Sequence, residues 1–178
     1  MRILRNLLIG LVVLVALAAA GAYLLPRHVI VERQITIDAP PAAVFQHINS
    51  LQAGMAWSPW MGRDPEMEVT FSGPETGVGA TMVWTSDDPA VGNGRQEIME
   101  SVESERIATA LDFGDMGTAE AWFDLVPDGD TTLVTWGLDA DMGNSPVGRW
   151  MGLMMDGLVG ADYEQGLVNL KALSEGGT

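Results

Sequence analysis

The stretch Val29-Ile30-Val31-Glu32-Arg33-Gln34-Ile35-Thr36-Ile37-Asp38-Ala39-Pro40-Pro41-Ala42-Ala43-Val44-Phe45-Gln46-His47-Ile48 decides how the chain is read. Val29, Val31, Arg33, Ile35 and Ile37 alternate with Ile30, Glu32, Gln34 and Thr36, which predicts a strand. Asp38 to Pro41 ends it. Pro41 suits the first turn of a helix, and Ala42, Val44, Phe45 and Ile48 place apolar side chains on one face of a short helix reaching about Leu51. A strand that runs straight into a proline-started helix opens the domain, and the run of antiparallel strands and the terminal helix expected after it make the class α+β.

Downstream, Trp57-Ser58-Pro59-Trp60 predicts a tight connection or a second short helix. Six further strands are expected at about Met67 to Ser72, Ala80 to Ser86, Arg95 to Val102, Ile107 to Phe113, Thr118 to Val126 and Thr131 to Leu138. The segments between them, such as Gly73-Pro74, Asp87-Asp88-Pro89, Gly114 to Gly117 and Asp128-Gly129, have turn chemistry, so neighbouring strands should pair antiparallel. Ser145-Pro146 then opens a helix of about 28 residues to Glu175, with Gly176-Gly177 as its stop. Seven curved antiparallel strands around one long C-terminal helix, with two short helices after the first strand, bury one face of each element and leave an apolar hollow where the layers do not interdigitate.

Upstream, Leu7 to Leu25 carries no charge over 19 residues. As a helix it spans about 28 Å, close to the hydrocarbon thickness of a bilayer. Arg2 and Arg5 precede it, so a transmembrane helix here favours a cytoplasmic N-terminus and an exported domain, a preference blunted by Arg27, His28 and Arg33. The small-residue patterns Ala16-Leu17-Ala18, Ala18-Ala19-Ala20 and Ala20-Gly21-Ala22 allow the alternative of a cleaved signal peptide. The division expected is residues 1–27 as anchor or signal and 28–178 as one domain.

All 24 acidic residues lie from Glu32 onward, against six Lys and Arg from His28 onward, a net −18. Such a field repels phosphate and argues against nucleic acid as a partner. Without cysteine there is no disulfide, thiolate nucleophile or Cys-based zinc site. No metal is expected, because Asp128-Gly129-Asp130 lacks the remaining ligands of a calcium loop. No P-loop, G-x-S-x-G, H-E-x-x-H or dinucleotide fingerprint is present, and no cofactor is expected. Of the two histidines, His28 lies at the end of the leader, and His47 is expected to be solvated or structural.

Strand alternation assigns Ala80, Met82 and Trp84, then Gln96, Ile98 and Glu100, then Ile107, Thr109, Leu111 and Phe113, then Ala119, Ala121, Phe123 and Leu125, then Val134, Trp136 and Leu138 to the inner face. On the long helix, Met155, Val159, Tyr163, Leu167 and Leu170 form the facing stripe, with Met151, Met154 and Leu158 beside it. An apolar concavity with a few polar groups suits a small-molecule site. The expected ligand-binding residues are Met82, Trp84, Gln96, Ile98, Glu100, Thr109, Leu111, Phe113, Phe123, Trp136, Met155, Val159 and Tyr163, with Gln96, Glu100 or Thr109 orienting a polar head. Filled core is the competing reading of the same residues.

The sequence resembles the START-like or SRPBCC superfamily, the helix-grip fold. The resemblance is carried by Val31-Glu32-Arg33 through Ile37-Asp38-Ala39-Pro40 into Val44-Phe45, by Trp57-Ser58-Pro59-Trp60, by Phe71-Ser72-Gly73-Pro74 with Gly77-Val78-Gly79-Ala80, by Thr135-Trp136 and by Gly166-Leu167 to Leu173. It covers essentially residues 29 to 175 and looks like the membrane-anchored bacterial branch described as polyketide cyclase or dehydrase-like, which implies an inner-membrane location. What the resemblance implies is a domain that binds a hydrophobic small molecule or lipid. Two alternatives stand beside it: an enzyme of the cyclase or dehydratase kind with Glu100 as acid/base and Tyr163 as hydroxyl partner, and an interaction module with partners unspecified.

Overall fold

The computed structural model describes residues 2–64, 66–89 and 91–176. Helix α1 (Arg2–Ala22) leads into β1 (His28–Ile37), followed by α2 (Pro41–Ile48), α3 (Leu51–Gly54) and a 3₁₀ turn at Pro59–Gly62. Six strands follow: β2 (Glu68–Ser72), β3 (Thr81–Thr85), β4 (Gly94–Val102), β5 (Arg106–Asp112), β6 (Thr118–Asp128) and β7 (Thr131–Asp141). The chain finishes with α4 (Pro146–Gly152) and α5 (Met155–Gly176). Of the expected Gly176-Gly177 stop, Gly177 lies outside the described residues.

All seven strands form one antiparallel sheet in the order β1-β7-β6-β5-β4-β3-β2. The first strand therefore closes on the last, with Val31 opposite Leu138 and Ile35 opposite Val134. Its concave face carries the core: Ile37, Ile98, Ile107 and Val134 are fully buried against Val44 of α2 and Leu167 and Leu170 of α5. Pro41 occupies the first turn of α2, and Val44, Phe45 and Ile48 are its buried side. The Ser50 side chain accepts from the Ala53 amide at 3.3 Å and so caps α3.

Helix α5 lies in the grip of the sheet on the stripe Tyr163, Leu167 and Leu170, with Gly160 and Gly166 where it comes closest. A Cβ on Gly166 would stand 2.5 Å from Trp136 Cζ3 and 3.2 Å from Pro59 Cδ, so only glycine lets the helix rest on that indole. Polar ties fix its register. Arg33 donates to Glu164 at 2.7 Å and to Asp156 at 2.9 Å, and Lys171 donates to the Thr36 carbonyl at 2.6 Å. The Asp38 amide donates to Glu175 at 2.7 Å. At 24% side-chain exposure, Arg33 is the better shielded end of a pair of ion bridges that its partners share with solvent, so each contributes modestly.

The long terminal helix differs from expectation in being two. It breaks at Leu153 and Met154, where Leu153 N donates to the Trp150 carbonyl and Met154 N to the Met151 carbonyl, the tighter hydrogen bonds of a helix end. Met151, Met154 and Leu158, expected beside the buried stripe, are exposed instead. The exposed length of α1 also stands apart from the core: apart from Ala22, none of its residues is buried.

Candidate functional site

Between the concave face of the sheet, α3, the 3₁₀ turn and α5 lies a hollow of about 300 Å³. Trp136 on β7 is its hub. Its ring stacks on Phe123 at 4.9 Å and on Tyr163 at 3.8 Å between centroids, and takes the edges of Trp57 at 5.3 Å and Trp60 at 5.9 Å. Pairing explains the first stack, because Phe123 lies directly opposite Trp136 across the β6–β7 ladder. Trp57 is fixed from two sides: its indole N–H donates to the His47 carbonyl at 3.0 Å, and its own carbonyl accepts from Asn169 of α5 at 3.0 Å. These aromatic faces form one wall.

The opposite wall comes from the far strands. Met82, Trp84, Gln96, Thr109, Leu111 and Phe113 all line the hollow, as do Met155, Val159 and Tyr163 from α5. Trp84 and Phe113 meet edge to face at 6.0 Å. The floor is small: Ala119 and Ala121 of β6 leave space where larger residues would fill it. Met55 and Met116 line the hollow and are also exposed, so it reaches solvent.

Thr109 is 5% exposed and donates to the Ala121 carbonyl at 3.4 Å, while Gln96 Nε2 donates to Thr109 Oγ1 at 3.1 Å. Thr109 is thereby used, but the second amide hydrogen and the carbonyl of Gln96 have no protein partner among the described residues. Gln96 is the polar group on this wall with hydrogen-bonding capacity to spare.

Two of the expected residues are not in the site. Ile98 is wholly buried core. Glu100 is on the other face of the sheet, for a reason alternation does not reveal. The β4–β5 pairing shifts between Ile98 and Glu100, so Met99 is an extra residue, a bulge, and parity reverses beyond it. Ser101 consequently turns inward and donates to Asn49 at 2.8 Å, while Glu100 is 49% exposed and accepts from Arg106 at 3.2 Å. With the sheet between them, Glu100 and Tyr163 cannot act on one substrate. Glu100→Gln is expected to leave uptake of a hydrophobic probe unchanged and to cost at most about 1 kcal/mol through the exposed ion pair, as read by probe titration and thermal unfolding.

Burial pushes the Tyr163 phenol far above its ordinary range, an effect the Trp136 side chain only partly offsets, so the group stays protonated and is a poor proton donor. Asp141 is at the rim, held by Arg27 through two 2.6 Å hydrogen bonds and by the Gly143 amide, which keep its carboxyl well below the usual range. His47 does not line the hollow; burial lowers its pKa. Among the described residues, no group of three or more His, Asp or Glu gathers to hold a metal ion. The lining is mostly apolar, with the Gln96–Thr109 pair as its hydrogen-bonded polar element.

A family model for polyketide cyclases or dehydrases and lipid transport matches residues 28–175. The chain belongs to this family. Its START-like, helix-grip architecture recurs in solved structures of low identity. A protein from Thermobifida fusca shares 20% identity at a TM-score of 0.62, over 82% of this chain and 92% of that one. The Aha1 dimer from Colwellia psychrerythraea shares 16% at 0.56, over 83% and 96%. Ara h 8.0201 shares 15% at 0.55, over 84% and 96%. At such identities these likenesses establish the fold alone. The search of curated proteins found no match. Family membership starts at His28, where the fold's first strand starts, and leaves α1 outside the family domain.

Trp57 and Trp60, absent from the residues expected to bind ligand, prove central to the site. Their signal was present as two indoles three apart around Ser58-Pro59, too large an apolar surface for a solvated loop.

Proposed function

We propose that this domain takes up a hydrophobic small molecule or lipid in the hollow between sheet and α5, and that α1 holds it at a membrane. The observation that carries the first part is the hollow itself: about 300 Å³ of space, walled by aromatic and methionine side chains, with one spare polar amide at Gln96. A family that includes lipid transport supports the same reading. Apolar side chains lining such a space gain more from an apolar occupant than from water, and Gln96 gives that occupant an orientation.

The tether rests on α1, a helix of 21 residues whose most apolar 18-residue window has a mean hydropathy of 2.4. Its length of about 31 Å matches the hydrocarbon core. The Arg2 and Arg5 side favours an exported domain at a bacterial inner membrane. Native mass spectrometry of the full chain, extracted from membranes in mild detergent, tests the binding reading. A bound apolar species released by collisional activation is the expected result; a chain that stays bare after incubation with a long-chain fatty acid would contradict it. The cyclase or dehydratase reading loses its acid/base residue with Glu100 on the outer face.

A further inference from the structure

Helix α4 touches the leader on one side and, on the other, a residue that lines the hollow. The Trp150 indole N–H donates to the Ala18 carbonyl of α1 at 3.1 Å, and Arg149 donates to the Leu25 carbonyl at 2.7 Å with its guanidinium 5.6 Å from the Tyr23 ring centre. On its other side, a Cβ on Gly152 would stand 3.0 Å from Val29 Cγ2 and 3.1 Å from Met142 Cγ, so the helix rests directly on Met142. Met142 and Met155, which flank α4 in sequence, both line the hollow.

The surface of this element is unlike the rest of the domain. Val147 is 72% exposed, Leu153 60% and Met154 57%, with Trp150 and Met151 exposed beside them. From Met142 to Met155 there is no carboxylate and one charge, Arg149, in a chain with 24 acidic residues. Arg27, Arg33, Arg63, Arg95, Arg106 and Lys171 each pair with a carboxylate; among the described residues from Arg27 onward, Arg149 alone among Lys and Arg does not.

Depth follows from the leader. Ala18 is four residues before the end of α1 at Ala22, about 6 Å along the helix. Each interfacial layer of a bilayer is roughly 5 to 8 Å thick, from a core of about 30 Å within about 40 to 45 Å overall. With α1 filling the core, Trp150 reaches about 6 Å inside the core's outer edge at Ala22, within the roughly 5 to 10 Å to which interfacial helices bury their apolar faces. Arg149, on the Leu25 carbonyl beyond that edge, stays at headgroup level. We propose that α4 and the corner after it lie in the interfacial layer of the bilayer that α1 enters, and that the hydrophobic ligand passes between that layer and the hollow beside Met142 and Met155. This rests on the tether and the binding site proposed above, and adds the surface that joins them.

The test uses the full chain in vesicles of phosphatidylcholine and phosphatidylglycerol at 4:1, with part of the lipid brominated near the headgroup end of its acyl chains. Flotation is measured first; a chain that does not float overturns the tether and the docking with it. For floating protein, bromolipid is expected to quench the tryptophan emission, and Trp150→Phe to remove most of that quenching while the other five indoles remain in the domain. Equal quenching in Trp150→Phe and wild type overturns the docking. Val147→Asp is expected to slow transfer of a fluorescent fatty acid from vesicle to protein at least several-fold, with its final occupancy unchanged. An unchanged rate overturns the ligand route, whereas failure of the wild type to take up the probe at all overturns the binding site rather than the docking.

Discussion

Ala121→Trp is expected to abolish uptake of a hydrophobic probe while the domain stays folded. Ala121 is 5% exposed and lies on the floor of the hollow, opposite Thr109 on one side and Leu138 on the other. An indole placed there occupies much of a space of about 300 Å³ and stands over the Gln96–Thr109 pair that would orient a ligand's polar end. Because the hollow already has room, the cost in stability should be that of modest overpacking, about 1 to 3 kcal/mol. Fluorescence titration with an environment-sensitive fatty acid, alongside circular dichroism to confirm the fold, checks both halves. Unchanged probe binding by the folded variant would mean that ligand, if any, is held elsewhere.

The second large effect is on stability. Trp136→Ala removes the ring on which Phe123, Tyr163, Trp57 and Trp60 all pack, and which supports α5 at Gly166. Truncating a buried Trp costs about 3 to 5 kcal/mol. For a domain of this size that lowers the melting temperature by roughly 6 to 20 °C, and it takes a large share of a total stability of about 5 to 15 kcal/mol. Thermal unfolding of the two proteins in the same detergent measures it. A shift of only a degree or two would mean that the aromatic cluster is not the packing centre described above.

How far such residues could be read from sequence depends on how local their determinants are. Strand β1 and helix α2 were legible because alternation, Asp38 to Pro41 and the Val44, Phe45 and Ile48 stripe all lie within about twenty residues. The inner faces of β3, β5, β6 and β7 were legible for the same reason, and Thr109, Phe123 and Trp136 point where parity sends them. Parity holds only up to the first bulge. The extra residue at Met99 is fixed by how β4 pairs with β5, and it turns Glu100 out while turning Ser101 in. The break between α4 and α5 falls beside Gly152, which packs on Met142 and on Val29, the latter far away in sequence. Helical periodicity across Pro146 to Glu175 carries no trace of that contact. Trp57 and Trp60 enter the site through partners about 80 residues and more away in sequence, Trp136, Tyr163 and Asn169, so their apolar character was visible but their destination was not.

The methionines provide the most direct test of the central claim, that this fold encloses its ligand on the concave side of the sheet. Met82, Met142 and Met155 line the hollow, while Met99 is exposed at the bulge on the outer face. In methyl-labelled methionine NMR of the full chain, titration with a nitroxide-bearing fatty acid should broaden the Met82, Met142 and Met155 methyl signals and leave Met99 sharp. Broadening of Met99 with the three cavity methyls unaffected would contradict the account.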